Sequence, residues 1–229
     1  MLDSLRAEVL EGNLELVRRG LVIYTFGNAS GLARDEKLAV IKPSGVAYDR
    51  MTAADIVITD LEGRTVEGKL RPSSDLATHL ALYRAFPGIG GVVHTHSRHA
   101  TAWAQARREI PCLGTTHADY FHGAVPVTGE LSAEEIEGEY EANTGVAIIR
   151  RMEGLEPLRC PGILVAGHGP FAWGKNIADA VHNAVILEEL AAMASETLAI
   201  NPEARQISEK LRDKHHFRKH GPKATYGQG

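Results

Sequence analysis

With 229 residues, 44% of them hydrophobic, 24% charged and 6% aromatic, the chain is long enough to bury one sizeable core and too apolar to stay disordered. Lys and Arg number 25 against 29 Asp and Glu, a formal charge of −4. That balance argues against a general nucleic-acid binder and against an anionic-membrane binder, since either needs a basic surface. No apolar run approaches the roughly 20 residues that span a bilayer, and Met1-Leu2-Asp3-Ser4-Leu5 lacks the basic and apolar regions of a secretion signal, so a cytoplasmic location is expected. Cys112 and Cys160 have no metal or redox spacing and read as small buried thiols, which leaves the eleven histidines as the more informative residues.

Leu2 to Arg18 carries Leu5, Val9, Leu10, Leu14 and Val17 near helical period, with Gly20 placed to stop the helix. Val22 to Phe26 and Lys37 to Lys42 read as two strands of a hairpin separated by Gly-Asn-Ala-Ser-Gly and a polar turn, and Ile56 to Asp60 with Arg64 to Glu67 as a second pair. Pro72-Ser73-Ser74-Asp75 opens a helix that Pro87-Gly88 ends. Gly91 to His96 reads as a strand leading to a helix near His99 to Arg107. Gly162 to Ala166 reads as another strand, followed by Gly167-His168-Gly169-Pro170 and a turn at Gly174. A long helix starts after Asn176 as N-cap. Strands interspersed with helices predict a single α/β domain over residues 1–229, a sandwich whose sheet is largely antiparallel. The basic tail from Lys210 to Lys223 reads as solvated, and Gly221 with Ala224-Thr225-Tyr226-Gly227 argues against a continuing helix.

His94 and His96, two apart in a strand, leave the same face with backbones about 7 Å apart, so one ion can join them. His168, between two glycines after a buried strand, is free to turn into a cleft. Asp75 offers a hard oxygen to complete a mixed nitrogen and oxygen site, or else simply stabilises its helix start. Gly27-Asn28, Ser44-Gly45 and Ser73-Ser74 combine turn-forming backbone with small donors, as an anion socket does and as ordinary turns also do. Lys42 stands beside them as a point charge for a phosphate. Asp119, in Thr115-Thr116-His117-Ala118-Asp119-Tyr120, reads locally as a capping or turn residue.

Taken in order, Gly27-Asn28-Ala29-Ser30, Lys42-Pro43-Ser44-Gly45, Ser73-Ser74-Asp75, His94-Thr95-His96-Ser97-Arg98-His99-Ala100, Thr115 to Tyr120 and Gly167-His168-Gly169-Pro170-Phe171 resemble the class II aldolase/epimerase family, nearest its pentulose-phosphate 4-epimerases. The likeness runs nearly the length of the chain. It implies a three-layer α/β/α sandwich around a largely antiparallel sheet. It also implies a divalent metal, commonly zinc, held by Asp75, His94, His96 and His168. Substrate and phosphate contacts would come from Gly27, Asn28, Ser44, Gly45, Ser73 and Ser74. Asp119 and Tyr226 would be the acid/base pair, Tyr226 being carried by the 210–229 tail into a neighbouring subunit of a homotetramer. His215 matches a further family position, followed here by His216-Phe217 in place of a tyrosine and a leucine.

The implied activity is interconversion of L-ribulose 5-phosphate and D-xylulose 5-phosphate. In such a ketose C4 is not adjacent to the C2 carbonyl, so direct removal of its hydrogen would leave an unstabilised carbanion. Cleavage of C3–C4 instead places the charge on an enediolate that a cation can stabilise. Two acid/base groups are then needed, one for each face of the aldehyde fragment. The alternative within the family is an aldolase of the L-fuculose 1-phosphate type. Asp75 separates the two readings, because those aldolases carry a longer Glu at that place as a proton-transferring base. A structural zinc site in a non-catalytic sugar-phosphate sensor is the reading from outside catalysis, and structural sites favour thiolates over a carboxylate.

Overall fold

The structure, a computed structural model, describes residues 2–220 and residue 224. Helix α1 spans Leu2–Arg18, with Gly20 at φ 68° closing it as its position predicts. The next segment departs from expectation. Val22 to Phe26 forms no strand, and β1 is Asn28–Ala33, much of it the segment read as a turn. Asn, Ser and Gly are poor strand formers, and tertiary packing recruits them. α1 lies directly across this strand, so a Cβ at Gly31 would come within 2.8 Å of Leu5 Cδ1 and 3.1 Å of Val9 Cγ2. The buried Asn13 side chain satisfies both backbone groups of Ala29, accepting from its N–H and donating to its carbonyl, each at 3.0 Å.

The remaining elements follow in chain order. They are β2 (Leu38–Ile41), β3 (Val57–Asp60), β4 (Thr65–Glu67), α2 (Leu76–Ala85), β5 (Gly91–His94), α3 (Arg98–Gln105), α4 (Thr115–Ala118) and α5 (Ala133–Glu137), then α6 (Tyr140–Arg151), β6 (Gly162–Leu164), β7 (Pro170–Gly174), α7 (Ile177–Ile200) and α8 (Glu209–His220). Among the described residues the strands form one seven-stranded sheet, ordered β4-β3-β2-β1-β5-β7-β6 and antiparallel throughout. Side chains alternate across it. Ile41, Val57, Val92, Phe171 and Trp173 join one apolar core with α2, α3 and the C-terminal half of α7. Val40, Ile58, Val93 and Ala172 join a second with α1 and the start of α7. Helices therefore cover both faces of an antiparallel sheet, the α/β architecture expected.

Also unpredicted are the short α4 and α5, β7, which runs into the turn expected at Gly174, and α6, which packs on α2. Asn176 does cap α7, its side chain accepting from the Asp179 N–H. The basic tail needs correction, because residues 209–220 are helical rather than irregular. They contain neither Gly nor Pro, and the helix is anchored on its own chain by His216, which is fully buried with its ring 3.2 Å from the Ala118 carbonyl. Among the described residues no helix is long and apolar enough to cross a membrane.

Candidate metal centre and its cleft

Sheet register places the first residues of the site. In three adjacent strands Asn28 of β1 lies opposite His94 of β5, and His94 opposite Phe171 of β7, so all three sit at one end of those strands. His94 ends its strand, so His96 reaches the site from the connection to α3 rather than from the strand expected. His168 arrives from the β6–β7 turn, two residues before the strand that pairs with β5. The result is that one nitrogen from each of His94, His96 and His168 lies within 4.8 Å of the other two.

The chemistry of these donors fits a divalent cation, which needs neutral imidazoles. Burial pushes His94 down to about 3, and lowers His96 as well; in His168 burial is aided by the neighbouring His96. The ring of His94 stacks on Phe171, with centroids 4.3 Å apart, and its Nδ1 lies 3.0 Å from the Pro170 carbonyl. A carbonyl can only accept, so Nδ1 carries the proton and Nε2 keeps its lone pair for an ion. The Tyr140 hydroxyl, 3.3 Å from His168 Nδ1, occupies the corresponding place behind the third imidazole.

Asp75 lines the same cleft but stands outside the mutually close set, which among the described residues is the three imidazoles alone. It occupies the N-cap position of α2 without capping it. Its carboxylate instead accepts from Asn28 Nδ2 at 2.6 Å. Burial opposes its ionisation, yet the imidazoles of His94 and His79 and the Asn28 amide hold it below the usual carboxylate range.

The same cavity, about 380 Å³, is also lined by Gly27, Asn28, Lys42, Ser44, Gly45, Ser73 and Ser74. Backbone pairing joins the segments: the Ser44 N–H donates to Arg71 O at 2.9 Å, and the Ser73 N–H to Lys42 O at 3.0 Å. Gly27 is required twice over, by its φ of 73° and because a Cβ there would lie 2.8 Å from the His94 carbonyl oxygen. Lys42 is buried, which lowers its ammonium pKa, and the Asn28 Oδ1 is buried without a hydrogen-bond partner among the described residues.

Asp119 is elsewhere. It is absent from the cleft wall and sits at the C-cap of α4, bound by its own chain's α8. Arg218 Nη2 and Lys219 Nζ lie 2.9 and 3.4 Å from its Oδ2, and His215 Nδ1 lies 3.1 Å from Oδ1. Burial raises this carboxyl and the three partners outweigh it, so it is held below the ordinary value. A carboxylate at a helix C-terminus faces carbonyl oxygens, and the cations of α8 offset that. Tyr226 lies outside the described residues.

Comparison with known proteins decides the family. The model for the class II aldolase and adducin N-terminal domain matches residues 7–195. The chain belongs to this family. Among solved structures it is similar to an L-fuculose 1-phosphate aldolase, 25% identical over 93% of this chain and 94% of that one, with a TM-score of 0.79. It is likewise similar to YgbL of Klebsiella pneumoniae, provisionally described as an aldolase/epimerase/decarboxylase, at 27% identity over 93% and 98% and a TM-score of 0.73. A third is the L-fuculose-1-phosphate aldolase of Thermus thermophilus, at 25% identity over 89% and 98% and a TM-score of 0.68.

Within this class II aldolase domain, several cleft residues escaped the sequence reading. Tyr140 and Glu141 line the cavity from the start of the unpredicted α6, and nothing in Gly138-Glu139-Tyr140-Glu141 distinguishes them from a solvated turn. Phe26 stands at the rim, half-exposed, its ring 6.0 Å from that of His96. Phe171 was visible only as part of a motif, and its stacking on His94 depends on a β5–β7 pairing that no local pattern announces.

Proposed function

We propose that this chain is a divalent-metal-dependent L-ribulose-5-phosphate 4-epimerase, interconverting L-ribulose 5-phosphate and D-xylulose 5-phosphate through cleavage and re-formation of C3–C4. The observation that carries the reading is the pairing, in one cavity of about 380 Å³, of three neutral imidazoles within 4.8 Å of one another with a wall of small donors around a buried lysine. His94, His96 and His168 would hold the ion, with Asp75 as the adjacent carboxylate. Zinc suits this nitrogen-rich set. When bound, the cation supplies Lewis acidity, drawing electron density from the ketose oxygens as the carbon–carbon bond breaks.

The chain's own residues supply the rest. The Lys42 ammonium, with Ser44, Gly45, Ser73 and Ser74, binds the phosphate and keeps the two-carbon fragment from diffusing away while it turns over. Gly27 lets the backbone approach closely, and Asn28 offers its unpartnered Oδ1 to a substrate hydroxyl. Asp119 and Tyr226 take and return the proton of the C4 hydroxyl oxygen, one on each face. Tyr226 comes from a neighbouring copy in a homotetramer, with the 210–229 tail as the delivering segment.

A short carboxylate pinned by Asn28 favours the epimerase, because it is poorly placed to shuttle a proton as an aldolase base must. The similarity to two L-fuculose 1-phosphate aldolases favours the second reading, a class II sugar-phosphate aldolase. Incubation of the metal-loaded protein with L-ribulose 5-phosphate and chiral analysis of the product tests the choice. D-xylulose 5-phosphate without free aldehyde is expected. Its absence refutes the epimerase, and accumulation of free aldehyde supports the lyase.

A further inference from the structure

Lys42 is 2% exposed, yet among the described residues no carboxylate pairs with it. Its Nζ makes one long hydrogen bond, 3.3 Å to the Pro43 carbonyl, and lies 4.8 Å from the centroid of the Tyr48 ring. Buried ammonium groups ordinarily demand an anionic partner, because removal from water is costly. A carboxylate here would satisfy that demand and cancel the charge a phosphate needs. An aromatic face attracts the cation through its quadrupole and leaves the formal charge intact.

Tyr48 is itself 6% exposed, rooted in the apolar core beside α1 with Met51, Ile56 and Ile58. Its hydroxyl donates to the Gly27 carbonyl at 2.9 Å and lies 3.0 Å from the Phe26 carbonyl. One side chain thus ties the lysine of the anion wall, the Gly27 turn and the rigid core together.

We propose that Tyr48 is a positioning residue for the anion subsite: its ring holds the Lys42 ammonium in place without neutralising it. The inference rests on the reading of this wall as a phosphate socket. It names a determinant that does not touch the substrate.

Inorganic phosphate, titrated calorimetrically into the metal-loaded protein, is the probe, with metal content and circular dichroism confirming each variant's integrity. Tyr48→Leu is expected to weaken phosphate binding by at least about tenfold, approaching Lys42→Met, whereas Tyr48→Phe, which keeps the ring, stays within about threefold of wild type. The double variant should bind no worse than Lys42→Met alone, because both act through one ammonium. A residue that only packs the core would instead weaken binding equally with or without Lys42, and that outcome overturns the proposal. Should Tyr48→Leu fail to fold, 3,4,5-trifluorophenylalanine at position 48 preserves the shape and depletes the π face. Affinity unchanged from Tyr48→Phe would then overturn the proposal. Phosphate binding that depends on Lys42 but not on Tyr48 sinks this inference alone. No phosphate binding by the wild type sinks the socket reading along with it.

Discussion

The two charged regions of this molecule are built on opposite principles. In the histidine cleft the donors come from separate segments fixed by main-chain pairing: Asn28 opposite His94, His94 opposite Phe171, and Ser44 and Ser73 bonded across to residues 71 and 42. Its imidazoles are neutral, its one lysine rests on a ring, and its Asp75 carboxylate is held by the Asn28 amide. At the α4–α8 shoulder, by contrast, side chains hold side chains, with Asp119 ringed by Arg218, Lys219 and His215. Arg218 is 40% exposed there. Backbone pairing in a sheet is insensitive to salt and pH, whereas partly exposed ion pairs are neither strong nor insensitive. The cleft is therefore preorganised by topology, and the shoulder is adjustable.

The largest effect should come from removing a donor that the sheet itself places. His94→Ala leaves the fold standing but opens the centre, and metal content measured after dialysis should fall with affinity reduced by well over the roughly 100-fold that outlying partners of a metal site carry. Turnover should vanish with it, and added zinc should not restore it at stoichiometric concentration. Retention of one ion per chain by this variant would show that the imidazoles are not the centre.

The complementary test acts on the shoulder. Asp119→Asn should leave metal content unchanged while lowering kcat by roughly 10²- to 10⁴-fold, the range of a lost acid/base group. The split between metal content and turnover is what distinguishes the two regions. Loss of metal in this variant would merge them into one site, contrary to the separation seen here.

What could be seen in the sequence follows the same division. α1, α2, β2, β3, β4 and α7 were legible because their periodicity and caps are local, Asn176 above all. The histidines, the serine pairs and Gly27 were legible as motifs because each sits at an element end, where turn chemistry shows. β1 and β7 were hidden, since small residues and a proline form strands there only under the pressure of α1 and of β5. Tyr140, Tyr48 and the embrace of Asp119 by α8 were hidden for a different reason. Each contact falls outside any regular helix or strand spacing, from Tyr48 over Lys42 six residues back to Lys219 on Asp119 a hundred residues back, and no local rule relates the partners.

Acid sharpens the comparison, with a smaller effect. His79 beneath the cleft and His117 in α4 are both buried neutral, pushed by burial to about 4 from the usual 6.5. His79 bonds the Ser30 hydroxyl at 2.7 Å, and His117 lies 2.7 Å from the Gly123 carbonyl. Below pH 6.5 the unfolded chain takes up a proton that neither folded site accepts until about pH 4. Stability is therefore full above 6.5 and is lost as pH falls through that window, by about 2 kcal/mol for each imidazole at pH 5. Asp119 adds loss of the same sign only at lower pH, below the 3.8 of an ordinary aspartate, because its folded value is depressed. Denaturant unfolding of chelator-treated protein at about pH 7.5 and about pH 5 measures the difference without interference from ion release. His117→Gln should cut that difference by about 2 kcal/mol, and His79→Gln by a similar amount. An unchanged difference in the first with a reduced one in the second would place this acid sensitivity in the cleft alone.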